Sequence, residues 1–239
     1  RLAEELGAHE AFDLTRAAQG TFQWELWDDA QVTEPERWEA LRARIKQHGL
    51  RNSLMLAIAP TATIASIAGC YECIEPMVSN LFKRETLSGD FLQVNNYLVT
   101  ELKKLGKWTP DMRQRIKQSN GSIQELEDLP TELRATYRTA WEIPMRSLID
   151  MAAERGAFID QSQSLNLFME TPTIGKLSSM YLYAWKKGLK TTYYLRSRPA
   201  TRIAQTQSMS REVVDDQQPT DSEAVACSLE NPESCEACQ

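Results

Sequence analysis

The sequence has few residues of several functional types, and each shortage excludes a class of function. Its 239 residues include only two histidines, His9 and His48, and both lie in helix-like segments where core or surface positions are expected rather than metal ligation. No run of about 18 apolar residues is present, so we expect no transmembrane helix. Lysine and arginine number 27 against 33 aspartates and glutamates, and no basic stripe stands out, which argues against a nucleic-acid partner.

The first residues lack two further features. Arg1–Gly7 contains neither an initiator methionine nor the apolar centre of a signal peptide. We therefore expect a cytoplasmic protein of which this sequence is a fragment. The five cysteines are an odd number, which agrees with a reducing compartment and argues against a disulfide scaffold.

The pattern of apolar residues predicts an α/β protein. The hydrophobic content of 42% is sufficient for a core. The sequence pattern predicts helices over residues 1–18, 34–49, 61–68, 90–105, 110–116, 130–141, 144–155 and 175–187. It predicts strands or extended segments over 20–27, 53–59, 158–167 and 189–196. The run 53–59 is continuously apolar, which suits a strand buried on both faces. Strands that alternate with helices favour parallel strands with helical crossovers, in a barrel or an open sheet.

The last part of the chain has a different composition. Residues 203–226 are polar and acidic and lack periodicity. We therefore predict a folded domain over residues 1–202 and a flexible tail over 203–239. A flexible tail of about 36 residues would span roughly 30–36 Å.

A threonine-rich segment follows the apolar run 53–59. Pro60, Thr61, Ala62 and Thr63 lead into the predicted helix, where free backbone N–H groups, the helix dipole and the hydroxyls favour an anion such as phosphate. The segment lacks the glycines and the lysine of a Walker loop. An ordinary capped helix start is the alternative interpretation.

Two consecutive tyrosines, Tyr193 and Tyr194, occur in the last predicted strand. Adjacent residues of a strand point to opposite faces, so the rings do not form an ordinary amphipathic stripe. One ring in a core and one at the surface is the plain structural interpretation, since strands favour aromatic residues.

Two Cys-x-x-Cys pairs indicate redox or metal chemistry. Cys235 and Cys238 lie at the end of the predicted tail, where they cannot serve packing, so redox exchange or metal binding remains. Cys70 and Cys73 form the second pair, and we interpret them as ordinary loop cysteines. A zinc site made by all four thiolates is the alternative.

Several motifs together resemble the large, catalytic subunit of class I ribonucleotide reductases. They are Arg51–Leu54, Pro60–Thr63, Ile74–Pro76, Leu87–Gly89, Asn120–Gln124, Met151–Asn166, Gly175–Leu177, Tyr193–Arg196 and the cysteine tail. Their order and spacing are similar to the branch of the family that includes the eukaryotic enzymes, and they span nearly the whole chain.

The resemblance implies a fold and roles for particular residues. Residues 1–202 would be the C-terminal part of a ten-stranded α/β barrel with outer helices, followed by a disordered redox tail. The loop of Pro60, Thr61, Ala62, Thr63 and Ile64 would bind the substrate's diphosphate. Tyr193 and Tyr194 would relay a radical, and Cys235 and Cys238 would re-reduce the active-site disulfide.

The resemblance also implies partners and missing parts. The partners would be the small subunit, thioredoxin or glutaredoxin, a ribonucleoside diphosphate and other large subunits. The radical would come from the small subunit's metal cofactor, and this chain would bind no cofactor or metal itself. The thiyl-radical cysteine, the active-site dithiol and the sites for ATP and dNTP effectors would lie upstream, so this chain alone would be inactive. The rival hypothesis is a non-catalytic α/β binding module with a zinc-binding or redox-active cysteine tail.

Overall fold

The computed structural model describes residues 1–86 and 89–198 of the chain. The helices in this part are α1 (Leu2–Leu6), α2 (Pro35–His48), α3 (Ala62–Ala68), α4 (Asn96–Lys104), α5 (Pro110–Gln118), α6 (Thr131–Thr136), α7 (Met145–Gly156) and α8 (Ile174–Lys186). The strands are β1 (Leu81–Thr86), β2 (Gly89–Val94), β3 (Leu167–Phe168) and β4 (Leu195–Arg196). Short 3₁₀ helices cover Phe12–Leu14, Gln23–Leu26 and Ala140–Glu142.

Local signals determine where several helices begin and end. Helix α2 has proline at its first position and stops at Gly49, whose φ of 74° is the left-handed conformation that glycine adopts without strain. The Thr173 hydroxyl accepts the N–H of Lys176 at the start of α8. The predicted helices at 34–49, 61–68, 110–116, 144–155 and 175–187 are confirmed to within a few residues.

Three extended segments run parallel to one another. The N–H of Ser164 donates to the Ile58 carbonyl, and Ile58 forms a parallel bridge with Gln163. Strand β3 pairs in parallel with β4, with Leu167 opposite Leu195. The central segment, residues 161–169, therefore lies between 56–58 and 193–196. Helices connect these segments, which confirms the α/β class.

A β-hairpin replaces the first part of a predicted helix. Strand β2 pairs antiparallel with β1, from Leu81 opposite Val94 to Thr86 opposite Gly89. The prediction of one helix over 90–105 is therefore wrong for residues 90–94. Helix α4 begins after the hairpin because the Asn95 side chain accepts the N–H groups of Tyr97 and Leu98.

Other predicted elements are shorter or different. Within 53–59 the side chains of Leu54, Met55 and Leu56 are more than half exposed, so a strand buried on both faces is wrong for the described part of the chain. The segment 20–27 contains a 3₁₀ helix rather than a strand, because the Glu25 carboxylate accepts the N–H of Phe22 and closes a turn.

The remaining differences are in length. The helix predicted over 1–18 is reduced to α1 and one 3₁₀ turn, and that over 130–141 to α6 and another 3₁₀ turn. The strands predicted over 158–167 and 189–196 are paired as named strands only in β3 and β4. The predicted tail, 203–239, lies outside the described residues.

Two apolar clusters form the core. One joins α7, β3 and α8, and its most buried members include Ile149, Leu167 and Met180. The other joins the start of β1, α4, α5 and residues 123–129, around Leu102 and Ile123. Among the described residues, no helix is both long and apolar enough to cross a membrane. The first cluster packs against the parallel segments that carry the candidate site.

Candidate functional site

The threonine-rich loop and the tyrosine pair lie on opposite sides of the central segment. Ile58 pairs with Gln163, so two residues farther along Pro60 comes level with Leu165. The Leu165 carbonyl accepts the N–H of Tyr193 at 2.8 Å. Adjacent strands are about 4.8 Å apart, so roughly 10 Å separates the loop from the tyrosine strand at this level. The fold therefore brings these two predicted site regions into one neighbourhood.

The loop presents an exposed helix start. Thr61 precedes α3 with a φ of 52°, and the first helical hydrogen bond runs from the Ala65 N–H to the Thr61 carbonyl. The N–H groups of Ala62, Thr63 and Ile64 therefore come before the helical hydrogen-bond series. Pro60 and these three residues are exposed, and Thr61 is half-buried. The helix start is therefore accessible from outside, and its use as a diphosphate site stays a prediction.

The two tyrosine rings lie against each other. Their centroids are 4.1 Å apart, and each side chain is 52% exposed. The neighbouring Tyr194 hydroxyl raises the pKa of Tyr193. The Arg196 guanidinium lies 5.7 Å from the centre of the Tyr194 ring. The interpretation with one ring in a core and one at the surface is wrong.

The two cysteines of the described residues lie in different surroundings. Burial, together with the neighbouring Glu75 carboxylate, raises the pKa of the Cys73 thiol to about 12. Cys70 is exposed. The described part of the chain contains no group of three or more metal-binding side chains. Cys227, Cys235 and Cys238 lie outside it, so the four-thiolate alternative stays untested.

The sequence reasoning missed a buried polar pair between the loop and the tyrosines. Glu75 is 6% exposed and Asn166 is 2% exposed. The Glu75 carboxylate accepts the backbone N–H of Asn166 at 2.8 Å and its side-chain Nδ2 at 3.0 Å. Burial raises the pKa of Tyr71, four residues before Glu75 in the chain, to about 12. Glu75 and Asn166 occur in two of the motifs quoted above, but no local pattern indicated that they meet.

Comparisons with known proteins identify the family. The family described as "Ribonucleotide reductase, barrel domain" matches residues 1–195. The chain belongs to this family. It is 42% identical, over 99% of its length, to a ribonucleoside-diphosphate reductase large subunit of Arabidopsis thaliana, and 47% identical, over 84%, to that of Plasmodium falciparum. The resemblance inferred from the motifs is thereby confirmed.

A solved structure of a family member agrees in fold. The chain superposes on the Actinobacillus ureae class Id ribonucleotide reductase alpha subunit with a TM-score of 0.56 and 32% identity. The match covers 64% of this chain and 28% of that subunit. The chain spans 31% of the Arabidopsis relative and 25% of the Plasmodium relative. It therefore corresponds to between a quarter and a third of these reductase subunits.

Proposed function

We propose that this chain is the C-terminal part of the large subunit of a cytoplasmic ribonucleoside-diphosphate reductase. The observation that carries the proposal is the pairing of an exposed Thr-rich helix start with a contacting tyrosine pair across one parallel segment. Identities of 42–47% with reductase large subunits support it. In the complete subunit the three parallel segments belong to a ten-stranded α/β barrel with outer helices.

The reaction reduces a ribonucleoside diphosphate to the deoxyribonucleoside diphosphate. The C2′–O bond breaks, the hydroxyl leaves as water, and hydrogen takes its place. Two thiols supply the two electrons and become a disulfide. The thiyl-radical cysteine, this dithiol and the sites for ATP and dNTP effectors belong to other parts of the subunit. The chain alone is therefore inactive, and it acts together with the rest of its own and other large subunits.

The tyrosine pair delivers the radical. A phenol loses an electron and a proton together when a neighbour takes the proton, and the two rings are in contact, with centroids 4.1 Å apart. A phenol is protonated at neutral pH, and the raised pKa of Tyr193 acts in the same direction, so oxidation must be coupled to proton transfer. Both rings are half-exposed, which suits an approach by the small subunit. That subunit's metal cofactor supplies the radical, and this chain holds no cofactor.

The loop binds the substrate's diphosphate. Ala62, Thr63 and Ile64 are exposed residues at the positive end of a helix, where their N–H groups and the Thr63 hydroxyl are the expected donors. The Thr61 hydroxyl accepts the Cys73 N–H at 3.2 Å, so it orients the loop as well as offering a donor. Pro60 ends the preceding extended segment and directs the chain into the loop.

The tail cysteines restore the active-site dithiol. Cys235 and Cys238 reduce the disulfide by thiol–disulfide exchange and become oxidised themselves. Thioredoxin or glutaredoxin then reduces them. This part of the proposal depends on the sequence, since both cysteines lie outside the described residues.

The test uses the full-length subunit. It is combined with its small subunit, thioredoxin, thioredoxin reductase, NADPH and a ribonucleoside diphosphate. We expect one deoxyribonucleoside diphosphate for each NADPH oxidised, and none when the small subunit is omitted. Absence of product from the complete mixture contradicts the proposal. One tightly bound zinc per chain, with tail thiols protected from alkylation, would favour the binding-module rival.

A further inference from the structure

A single buried carboxylate connects the two halves of the proposed site. Both oxygens of Glu75 are used: Oε1 accepts the backbone N–H of Asn166, and Oε2 accepts its side-chain amide. These residues are 91 positions apart, so the pair fastens the loop after α3 to the central parallel segment.

On the loop side, Cys73 joins Glu75 to the anion-binding segment. Glu75 follows Cys73 by two residues, and its carboxylate, together with burial, raises the pKa of the Cys73 thiol. The Cys73 N–H donates to the Pro60 carbonyl and to the Thr61 hydroxyl, each at 3.2 Å. Cys73 has a φ of 60°, a conformation that is strained for a residue with a side chain and persists only where its surroundings hold it. The conformation of the loop therefore depends on the contacts of Cys73.

On the tyrosine side, Asn166 lies between two residues that bind the tyrosine backbone. The Leu165 carbonyl accepts the N–H of Tyr193 at 2.8 Å. The Leu167 N–H donates to the carbonyl of Tyr194 at the same distance. A shift of Asn166 along its segment would therefore shift the tyrosine pair.

We propose that Glu75 is a positioning residue for nucleotide reduction, and that it holds the diphosphate loop and the tyrosine pair in one register by fastening the segment of Cys73 to Asn166. Burying a carboxylate is costly, and an apolar pair of similar size would serve a core at least as well. The Asn166 Oδ1 and the Ser164 hydroxyl are buried without a hydrogen-bond partner among the described residues. Stability alone therefore does not explain why Glu75, Asn166 and Ser164 are buried together. This inference rests on the proposed function.

The first test is Glu75→Gln in the full-length subunit, assayed with the small subunit and thioredoxin. The new amide would direct an N–H towards a donor of Asn166, so one of the two bonds is lost. We expect kcat/KM to fall at least about tenfold, with kcat lowered and KM raised. A purely structural role would reduce the active fraction, which lowers kcat and leaves KM unchanged.

Variants of Asn166 and Cys73 test the tyrosine side and the loop side of the proposed site separately. Asn166→Ala should lower kcat with little change in KM, because it loosens the tyrosine side. Cys73→Ala should raise KM more than it changes kcat, because it loosens the loop. Cys70→Ala is the matched control, since Cys70 is exposed and lies outside this series of contacts, and its kinetics should equal those of the wild type. Equal effects of Asn166→Ala and Cys73→Ala on kcat and KM would contradict the inference.

The decisive test is the double variant Glu75→Gln with Asn166→Asp. The amide oxygen introduced at position 75 would accept the backbone N–H of position 166, and the amide nitrogen would donate to the new carboxylate. Both bonds therefore return, with one reversed and the net charge unchanged. We expect kinetics within about threefold of the wild type. A double variant no better than Glu75→Gln overturns the inference. If Glu75→Gln alone is insoluble, a double variant whose kinetics do not approach those of the wild type overturns it as well.

The wild type separates this inference from the proposed function. An inactive wild type would refute the proposed function, whereas an active wild type with kinetics equal to those of Glu75→Gln would refute only this inference.

Discussion

Tyr193 and Tyr194 are adjacent in sequence, and their rings are in contact, with centroids 4.1 Å apart and planes inclined by 57°. Neighbouring residues of a regular strand point to opposite faces, so a continued strand would separate them. β4 begins only at Leu195, and the two preceding residues are free of that alternation. Backbone bonds to Leu165 and Leu167 nevertheless hold both residues beside the central segment. The backbone of the tyrosine pair is therefore held by hydrogen bonds, while both residues remain about half exposed to solvent.

The first prediction concerns the two hydroxyls. In the full-length subunit, Tyr193→Phe or Tyr194→Phe should lower turnover at least ~100-fold, equivalent to about 2.7 kcal/mol of barrier, with KM unchanged. Phenylalanine keeps the ring contact but cannot release the phenolic proton. Both side chains are half-exposed, so the melting temperature should change little. Tyr97→Phe, at an 80% exposed position on α4, is the control and should have normal turnover. A folded Phe variant at position 193 or 194 with normal turnover would remove the radical relay.

The second prediction concerns the loop hydroxyls. Thr63 is exposed, so Thr63→Val should raise KM about tenfold or more, because a hydrogen bond to a charged group contributes about 1.5–3 kcal/mol. Thr61→Val should also lower the melting temperature, since it removes the acceptor of the Cys73 N–H. Thr100→Val, on the exposed surface of α4, is the matched control. The diphosphate assignment is wrong if the Thr61→Val and Thr63→Val double variant has an unchanged KM.

The third prediction concerns the tail. Changing Cys235 and Cys238 to serine should block turnover with thioredoxin as reductant. Dithiothreitol should restore part of it, because a small dithiol reaches the active-site disulfide by direct exchange. Cys227→Ser is the control, and we expect its effect to be mild. Normal turnover of the double variant with thioredoxin would show that these cysteines are not the shuttle.

Elements with local start and stop signals could be predicted from the sequence. Pro35 and Gly49 mark the ends of α2 because proline suits a first helical turn and glycine adopts a positive φ without strain. The hairpin could not be predicted in this way. Phe91, Leu92 and Val94 also fit helical spacing, and only their pairing with β1 makes the segment a strand.

The same distinction applies to the site. The Thr-rich loop and the tyrosine pair have recognisable local sequences, and their positions follow from the order of strands and helices. Glu75 and Asn166 carry no such signal. Their contact joins residues 91 positions apart, and whether a glutamate in a loop is exposed or buried depends on the complete fold. The zinc alternative arose from cysteine spacing alone, and it stays untested because Cys235 and Cys238 lie outside the described residues.

The last prediction concerns a glycine that the fold requires for two reasons. Gly121 has a φ of 82°, and a β-carbon there would lie 1.8 Å from the Ser79 hydroxyl and 2.9 Å from the Asn80 backbone nitrogen. Gly121→Ala should therefore lower the free energy of unfolding by more than about 2 kcal/mol, because overpacking adds to the conformational strain. Backbone atoms are among the close contacts, so a change of side-chain rotamer cannot relieve them.

Gly106 provides the matched control for this prediction. Its φ of 67° is similar, but a β-carbon there would meet no atom within 4 Å. Gly106→Ala should cost only the conformational term, about 1 kcal/mol. Thermal unfolding of both variants, measured beside the wild type, separates strain from steric overlap. Equal losses of stability at the two positions would mean that the loop around Gly121 can move away from Ser79, and that the Asn80 contacts with the Gly121 carbonyl do not hold it in place.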